Sequence, residues 1–319
     1  MSNTRILISA LFLSLASILP LIDFLTQPAK DGEDKKAAAE DDLKAGEERE
    51  VEIANGVKMK FCWIPSGEAQ LGSPKTERDA VLKHLIEAKL VDNGKEPEGL
   101  SEESDGVRGK FKTKGFWLGR YPVTQTEWKA MMGDNPSFFN GESNNKAKGI
   151  DTSRFPVENV SWDDCQKFLE KLNKRTEVEK VFGKAGQFVL PHEDQWEYAC
   201  RGGKGNKGAF YFGNELNGTQ ANCNGNYPYG TDKMGAYKER TTEVGSYAKD
   251  WPHPWGLCDM HGNVCQWCEN KYEQSDNRVL RGGAWISFAR YCRSAGRFRR
   301  GPVYRDYYNG FRVCLPLEK

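Results

Sequence analysis

Signatures of the common catalytic folds are missing from this chain. Its four histidines, His84, His192, His253 and His261, form no H-E-x-x-H pair. No G-x-S-x-G elbow is present, and neither a phosphate-binding loop nor a dinucleotide fingerprint occurs. Helix-borne zinc proteases, α/β-hydrolases, P-loop enzymes and Rossmann dehydrogenases are thereby disfavoured. Charge of one sign is also lacking. The 46 Lys and Arg balance 45 Asp and Glu, so the net charge of +1 provides no global field for nucleic acid or an anionic membrane. Long periodic segments are absent beyond Gly202, and the chain has no internal repeat. What remains is a 38% hydrophobic composition that can build a core, and 33 glycines among 319 residues that point to a turn-rich fold.

The N-terminus bears on the compartment. Arg5 precedes the apolar run Ile6–Ile22, which Pro20 interrupts and Asp23 closes. That is the form of an export signal or an uncleaved N-terminal membrane anchor, assigned to residues 1–26. The protein is therefore expected to be exported: periplasmic, in the cell envelope or extracellular. Residues 27–49 are a solvated linker of Lys, Glu, Asp and Ala. Export gives meaning to nine cysteines, because disulfides persist outside the cytosol and an odd count leaves at least one thiol over.

The folded domain is placed at residues 50–319. Alternating apolar residues in Val51–Trp63 around Asn55-Gly56 predict a β-hairpin with a type I′ turn. A short helix fits Ala80–Leu90, and the polar stretch Asp92–Lys110 reads as a surface insertion. Gly115–Arg120 reads as a strand. Thr124 with Glu127, and Ser161 with Asp164, predict capping boxes. The first helix buries Trp128, Met131 and Met132 and ends at Gly133. The second carries the stripe Cys165, Phe168, Leu169 and Leu172. A third follows Leu190-Pro191 with Trp196, Ala199 and Cys200 on one side. Short strands are expected at Phe210–Phe212, Thr242–Tyr247, Asn277–Leu280 and Phe311–Leu315. The fold class is α+β with much irregular structure.

Chemistry concentrates in the C-terminal third. Cys265 and Cys268 form a C-x-x-C without a second pair or a βαβ setting, which reads as two structural cysteines in a tight loop. Asp259, Gly262, Val264 and Gln266 alternate a carboxylate, turn carbonyls and an amide, as either a hard-cation loop or an Asx-type turn. Cys165 and Cys200 lie on apolar helix faces. Cys292 sits among Arg290, Arg293, Arg297, Arg299 and Arg300, whose guanidinium groups are expected to favour the thiolate; the alternative is a half-cystine with solvated arginines.

A set of collinear motifs carries a resemblance. They are W-I-P-S-G-E (63–68), G-S-P-x-x-E-R-D (72–79), F-W-L-G-R-Y-P-V-T-Q-T-E-W (116–128), P-V-E-N-V-S-W-D-D (156–164), L-P-x-E-x-x-W-E-Y-A-C-R-G-G (190–203), G-L-C-D-M-H-G-N-V-C-Q-W (256–267), R-G-G-A-W (281–285) and G-F-R (310–312). Over residues ~50–315 the chain resembles the formylglycine-generating enzyme, or sulfatase-modifying factor, family. The resemblance implies a single domain with a C-type-lectin-like fold, stabilised by Ca²⁺. It also implies oxidation of a sulfatase cysteine in C-x-P-x-R to Cα-formylglycine, with O₂ and a Cu⁺ ion held by two thiolates, the soft ligands that Cu⁺ prefers.

Counted from Arg281, the resemblance puts Cys292 on the second copper cysteine, Tyr291 on the tyrosine before it, Ser287 on the first copper cysteine and Ala284 on the active-site serine. Counted back from G-F-R, Cys292 instead matches a structural cysteine paired with Cys200, and Cys165 is matched with Cys314. Asp259, Gly262, Val264 and Gln266 fall on a calcium loop, with Gln266 in place of a glutamate; Asn222 falls on a further calcium position. Cys265 replaces a tryptophan near the substrate groove. Two functions follow. One is an oxidase acting on an exported sulfatase polypeptide. The other is a non-catalytic, C-type-lectin-like binding or scaffold module for a protein or glycan. The chain is expected to be a monomer without nucleic-acid partners.

Overall fold

The computed structural model describes residues 43–87, 106–143, 145–175, 177–182, 186–205 and 207–317. Contacts divide the chain into Met1–Lys36, outside the described residues, and Ala37–Lys319. The expected export signal and most of the expected insertion at 92–110 also fall outside the described residues.

The hairpin forms as its sequence predicts. Strands β1 (Glu48–Ala54) and β2 (Val57–Gln70) pair antiparallel around Asn55 and Gly56, whose φ values of 42° and 80° are those of a type I′ turn. Strand β2 pairs along its length with β3 (Lys110–Gly119), which in turn pairs with β8 (Cys314–Pro316). The first sheet has the order β1-β2-β3-β8. A second sheet has the order β6-β5-β4-β7, built from β4 (Cys265–Lys271), β5 (Arg278–Arg281), β6 (Arg297–Arg300) and the short β7 (Asn309–Gly310), which runs parallel to β4.

Helix α1 covers Lys75–Glu87, so it starts earlier than the apolar spacing suggests. Helices α2 (Gln125–Met132) and α3 (Trp162–Leu172) begin with the capping boxes Thr124/Glu127 and Ser161/Asp164. Each cap contributes about 1 kcal/mol by satisfying backbone N–H groups that the first turn leaves unpaired. Gly133 closes α2 in the left-handed conformation, while Met132 is only half-buried. The stripe Cys165, Phe168, Leu169 and Leu172 is buried, with Phe168 stacked on Trp128 and edge-on to Phe311. Helix α4 is Glu177–Phe182. Helix α5, Glu193–Cys200, is capped by His192 and Gln195.

Several expected strands are corrected. Phe210 makes an isolated bridge to Gly213 rather than a strand, and 242–247 is irregular. The stretch 311–313 is irregular between β7 and β8. Cys265 and Cys268 belong to strand β4 rather than to a loop.

A buried ion cluster joins helix α5 to the second sheet. Glu197, with no exposed surface, accepts from Gly72 N–H and pairs with Arg108, Arg201 and Arg281. Glu193 pairs with Arg108 and Arg297. Burial alone would raise both carboxyls. The arginines outweigh it, holding Glu193 down at about 2 and Glu197 lower still.

Candidate functional site

The turn that follows β5 carries the residues matched to the active centre. Its base is rigid: Arg281 is fully buried, donating to Gly296 O at 2.6 Å and to Glu197. Trp285 N–H donates to Asn263 O at 3.0 Å, and its indole N–H to Tyr307 O at 3.2 Å. The turn 284–287 closes twice. Ser287 N–H donates to Ala284 O at 2.9 Å, and Ser287 Oγ accepts from Ala284 N–H at 3.0 Å. Ser287 is thus a turn cap.

Cys292 ends the 3-10 turn Ala289–Cys292 and is fully buried. Its thiol lies in one buried cluster with Cys223 and donates to Phe288 O at 3.9 Å. The neighbouring Cys223 thiol and burial push its pKa well above the ordinary thiol value, so it is protonated. The expected activation by arginines is overturned. Arg293 donates to Ser73 and Glu77, Arg297 to Glu193, and Arg290 to the Tyr291 hydroxyl. Each guanidinium is directed at another group. Tyr291 is half-buried and stacks on Phe288, which stacks on Tyr227.

All nine cysteines are buried thiols, and neither Cys200–Cys292 nor Cys165–Cys314 is bonded. Cys200 Sγ lies 3.6 Å from Ser294 Oγ and 3.7 Å from His261 Nε2. Cys165 and Cys314 belong to separate apolar clusters. Cys265 is buried against the cluster that holds Trp285.

The loop Asp259–Gln266 is drawn tight around Arg312. Gln266 Oε1 accepts from Arg312 Nε at 2.6 Å and from Trp196 Nε1 at 2.8 Å, while Gln266 Nε2 donates to Asp259 O at 2.8 Å. With two donors on one side and a carbonyl on the other, the amide has one sensible orientation. Its oxygen faces away from Asp259, and an N–H occupies the Asp259 carbonyl. The residues present therefore do not fit a calcium ion ligated through Gln266. Asp259 is held by Gly245 N–H at 2.7 Å, yet burial raises its carboxyl to about 6. The surroundings of Asn222 differ. Its Nδ2 donates to Arg240 O and Asn263 Oδ1, but its buried Oδ1 has no partner among the described residues, nor do the hydroxyls of neighbouring Thr241 and Thr242. These uncharged oxygens are of the type a hard cation takes.

The copper donor set does not assemble. Ser287 offers a neutral hydroxyl already engaged by Ala284, and the Cys292 thiol is buried and donates to Phe288 O. Around the turn lies an aromatic surface instead. Phe138 and Tyr307 are 46% and 39% exposed, their rings 5.5 Å apart, with Phe139 and Trp285 packed behind them. Sequence reading misses Cys223, whose only signal is an unassigned thiol beside Asn222. It also misses Phe138 and Tyr307, which stand in aperiodic loops.

Two irregular-looped sheets with a rigid R-G-G turn define an α+β domain of the sulfatase-modifying class. A model of the sulfatase-modifying factor enzyme 1-like domain matches residues 53–316, and the chain belongs to that family. It is 34% identical over 280 residues to the inactive Cα-formylglycine-generating enzyme 2 of Bos taurus, covering 76% of this chain and 81% of that protein. It is 31% identical over 182 residues to the formylglycine-generating enzyme of Streptomyces coelicolor, covering 50% of this chain and 52% of that one. PvdO from Pseudomonas aeruginosa shares the fold with a TM-score of 0.60 at 21% identity, over 86% of this chain and 100% of PvdO. Treponema denticola variable protein 1 does so with a TM-score of 0.58 at 22% identity, over 84% and 99%.

Proposed function

We propose that this chain is a non-oxidising member of the family, a binding module that holds a polypeptide segment of an exported partner against the aromatic surface around Trp285. The observation that carries this reading is the state of the copper position. One ligand place is a serine engaged in a turn, and the thiol at the other is buried, protonated and packed in the cluster that holds Cys223. Exposed Phe138 and Tyr307 supply apolar contact area, and Arg290, whose guanidinium lies over the Phe288 and Tyr291 rings, supplies charge. Similarity to a relative named as inactive supports the same direction.

Incubation of the protein with Cu⁺, O₂ and a C-x-P-x-R peptide, followed by mass spectrometry, tests it. Peptide binding without aldehyde is expected. Aldehyde formation would establish the second reading, a copper-dependent oxidase of sulfatase cysteine, which the formylglycine-generating relatives favour.

Of the two calcium positions implied by the family, the one at Asn222 is retained as a structural site, on the strength of its unpartnered Oδ1. Chelation should then lower the melting temperature, and added Ca²⁺ should restore it. A melting temperature indifferent to both removes calcium from the account.

A further inference from the structure

Two of the nine thiols meet in the core. Cys223 and Cys292 belong to one buried cluster with Phe210, Leu216 and Ala289. The backbone imposes this meeting. Asn224 and Phe288 form a parallel bridge, Asn224 N–H donates to Ser287 O at 2.9 Å, and Ala289 N–H donates to Tyr227 O at 3.1 Å.

Other partners for Cys292 are screened off. His261 Nδ1 lies 2.7 Å from the Cys292 carbonyl, while its other nitrogen lies 3.7 Å from Cys200 Sγ, so the imidazole touches both residues. Cys200 is further occupied by Ser294. Gly283 closes another side: its φ is +67°, and a Cβ there would stand 2.6 Å from the Cys292 sulfur.

We propose that Cys223 and Cys292 become joined by a disulfide when the chain folds in the presence of a disulfide-bearing oxidant. Both sulfurs are closed off in the finished fold, so the exchange belongs to folding, before the cluster seals. One cysteine thiolate attacks the donor's S–S bond, forming a mixed disulfide and releasing one donor sulfur. The second cysteine thiolate then displaces the other donor sulfur. One protein S–S bond replaces two S–H bonds. The donor gains the two electrons and two protons and leaves as two thiols.

The cross-link would tie the segment carrying Trp285, Ser287 and Tyr291 to the segment after Asn222, bracing the aromatic surface from behind. It also differs from the Cys200–Cys292 pairing that the family resemblance implies.

The test uses the full chain, reduced in guanidinium and refolded with glutathione and its disulfide, then quenched in acid with N-ethylmaleimide. Tryptic cleavage separates the cysteines in question into peptides 185–201 with Cys200, 208–233 with Cys223 and 291–293 with Cys292. Recovery of 208–233 joined to 291–293, two hydrogen masses lighter than the pair of thiol peptides, is expected, with Cys200 alkylated. The joint should persist in Cys200→Ser. Peptide 291–293 joined to 185–201, or recovered bearing only N-ethylmaleimide, overturns the proposal. A second measurement compares denaturation midpoints of oxidised and reduced protein. The gap expected in wild type should vanish in Cys223→Ala, whereas a gap of unchanged size in that variant counts against the pairing.

Discussion

Glu158 offers a quantitative test of the core. It is fully buried, with Oε1 accepting from Phe139 N–H at 2.8 Å and Oε2 without a partner among the described residues. Burial raises its carboxyl from the ordinary 4.5 to about 8, although the Phe138 and Phe139 amides pull it down. In the folded chain it is thus protonated at neutral pH, while in the unfolded chain it ionises above about 4.5. Its contribution is fully present below that lower value and is lost as pH rises through the window from 4.5 to about 8. The slope is about 1.4 kcal/mol per pH unit, hence ~3 kcal/mol lost by pH 7 and ~5 kcal/mol when the loss saturates. Asp259 and Glu127, raised to about 6 by burial, act in the same direction, so the difference from a variant is the proper readout. Glu158→Gln keeps the shape and cannot ionise. Denaturant unfolding from pH 4 to 9 at fixed ionic strength should show the variant gaining on wild type across that window. A difference independent of pH would refute the buried, protonated carboxyl, whatever constant offset the amide introduces.

Glu197→Gln should destabilise the protein by roughly 3–5 kcal/mol, because Arg108, Arg201 and Arg281 lose the charge they share in the core. Denaturant midpoints check it, and a cost within 0.5 kcal/mol of zero, as for a surface pair, would contradict the cluster. Phe138→Ala should leave the midpoint within about 1 kcal/mol of wild type, since the ring is largely at the surface, yet weaken peptide binding several-fold by calorimetry.

Local chemistry was legible in the sequence wherever the partners are sequence neighbours. Thr124 with Glu127, Ser161 with Asp164, and Asn55 with Gly56 complete their hydrogen bonds or turn within a few residues, so composition and spacing suffice. The α3 stripe was legible because one face meets the core at the helical period. Of the second sheet only β5 was, as the strand expected at Asn277–Leu280. In β4, Cys265, Gln266, Trp267 and Cys268 are all buried, so no alternation marks a strand, and β6 is R-F-R-R, which reads as a solvated charge run. The arginines near Cys292 misled for a related reason. Proximity in sequence says little about direction, and the guanidiniums of Arg293 and Arg297 are drawn to the carboxylates of Glu77 and Glu193 from distant segments.

The same distinction sets the outcome of an attempted repair. Ser287→Cys would restore a second thiol at the copper position, and by sequence alone that should suffice. The structure argues otherwise. The Cys292 sulfur is packed in one cluster with Cys223, donates to Phe288 O and is walled by Gly283, and the side chain at 287 closes a turn onto Ala284 N–H. Moving both sulfurs onto one Cu⁺ ion would break the thiol contact and undo the turn cap, at roughly 1 kcal/mol for each hydrogen bond lost. Ser287→Cys alone should therefore leave Cu⁺ affinity, measured by competition with a chromophoric chelator, within about tenfold of wild type, since a few kcal/mol of strain offsets much of the added ligand. It should yield no aldehyde from a C-x-P-x-R peptide. Adding Cys223→Ala releases Cys292 and should tighten Cu⁺ binding beyond the single variant. Tight two-thiolate binding or aldehyde formation by Ser287→Cys alone would show that Cys292 is free to turn, and the reasoning from its position would fail.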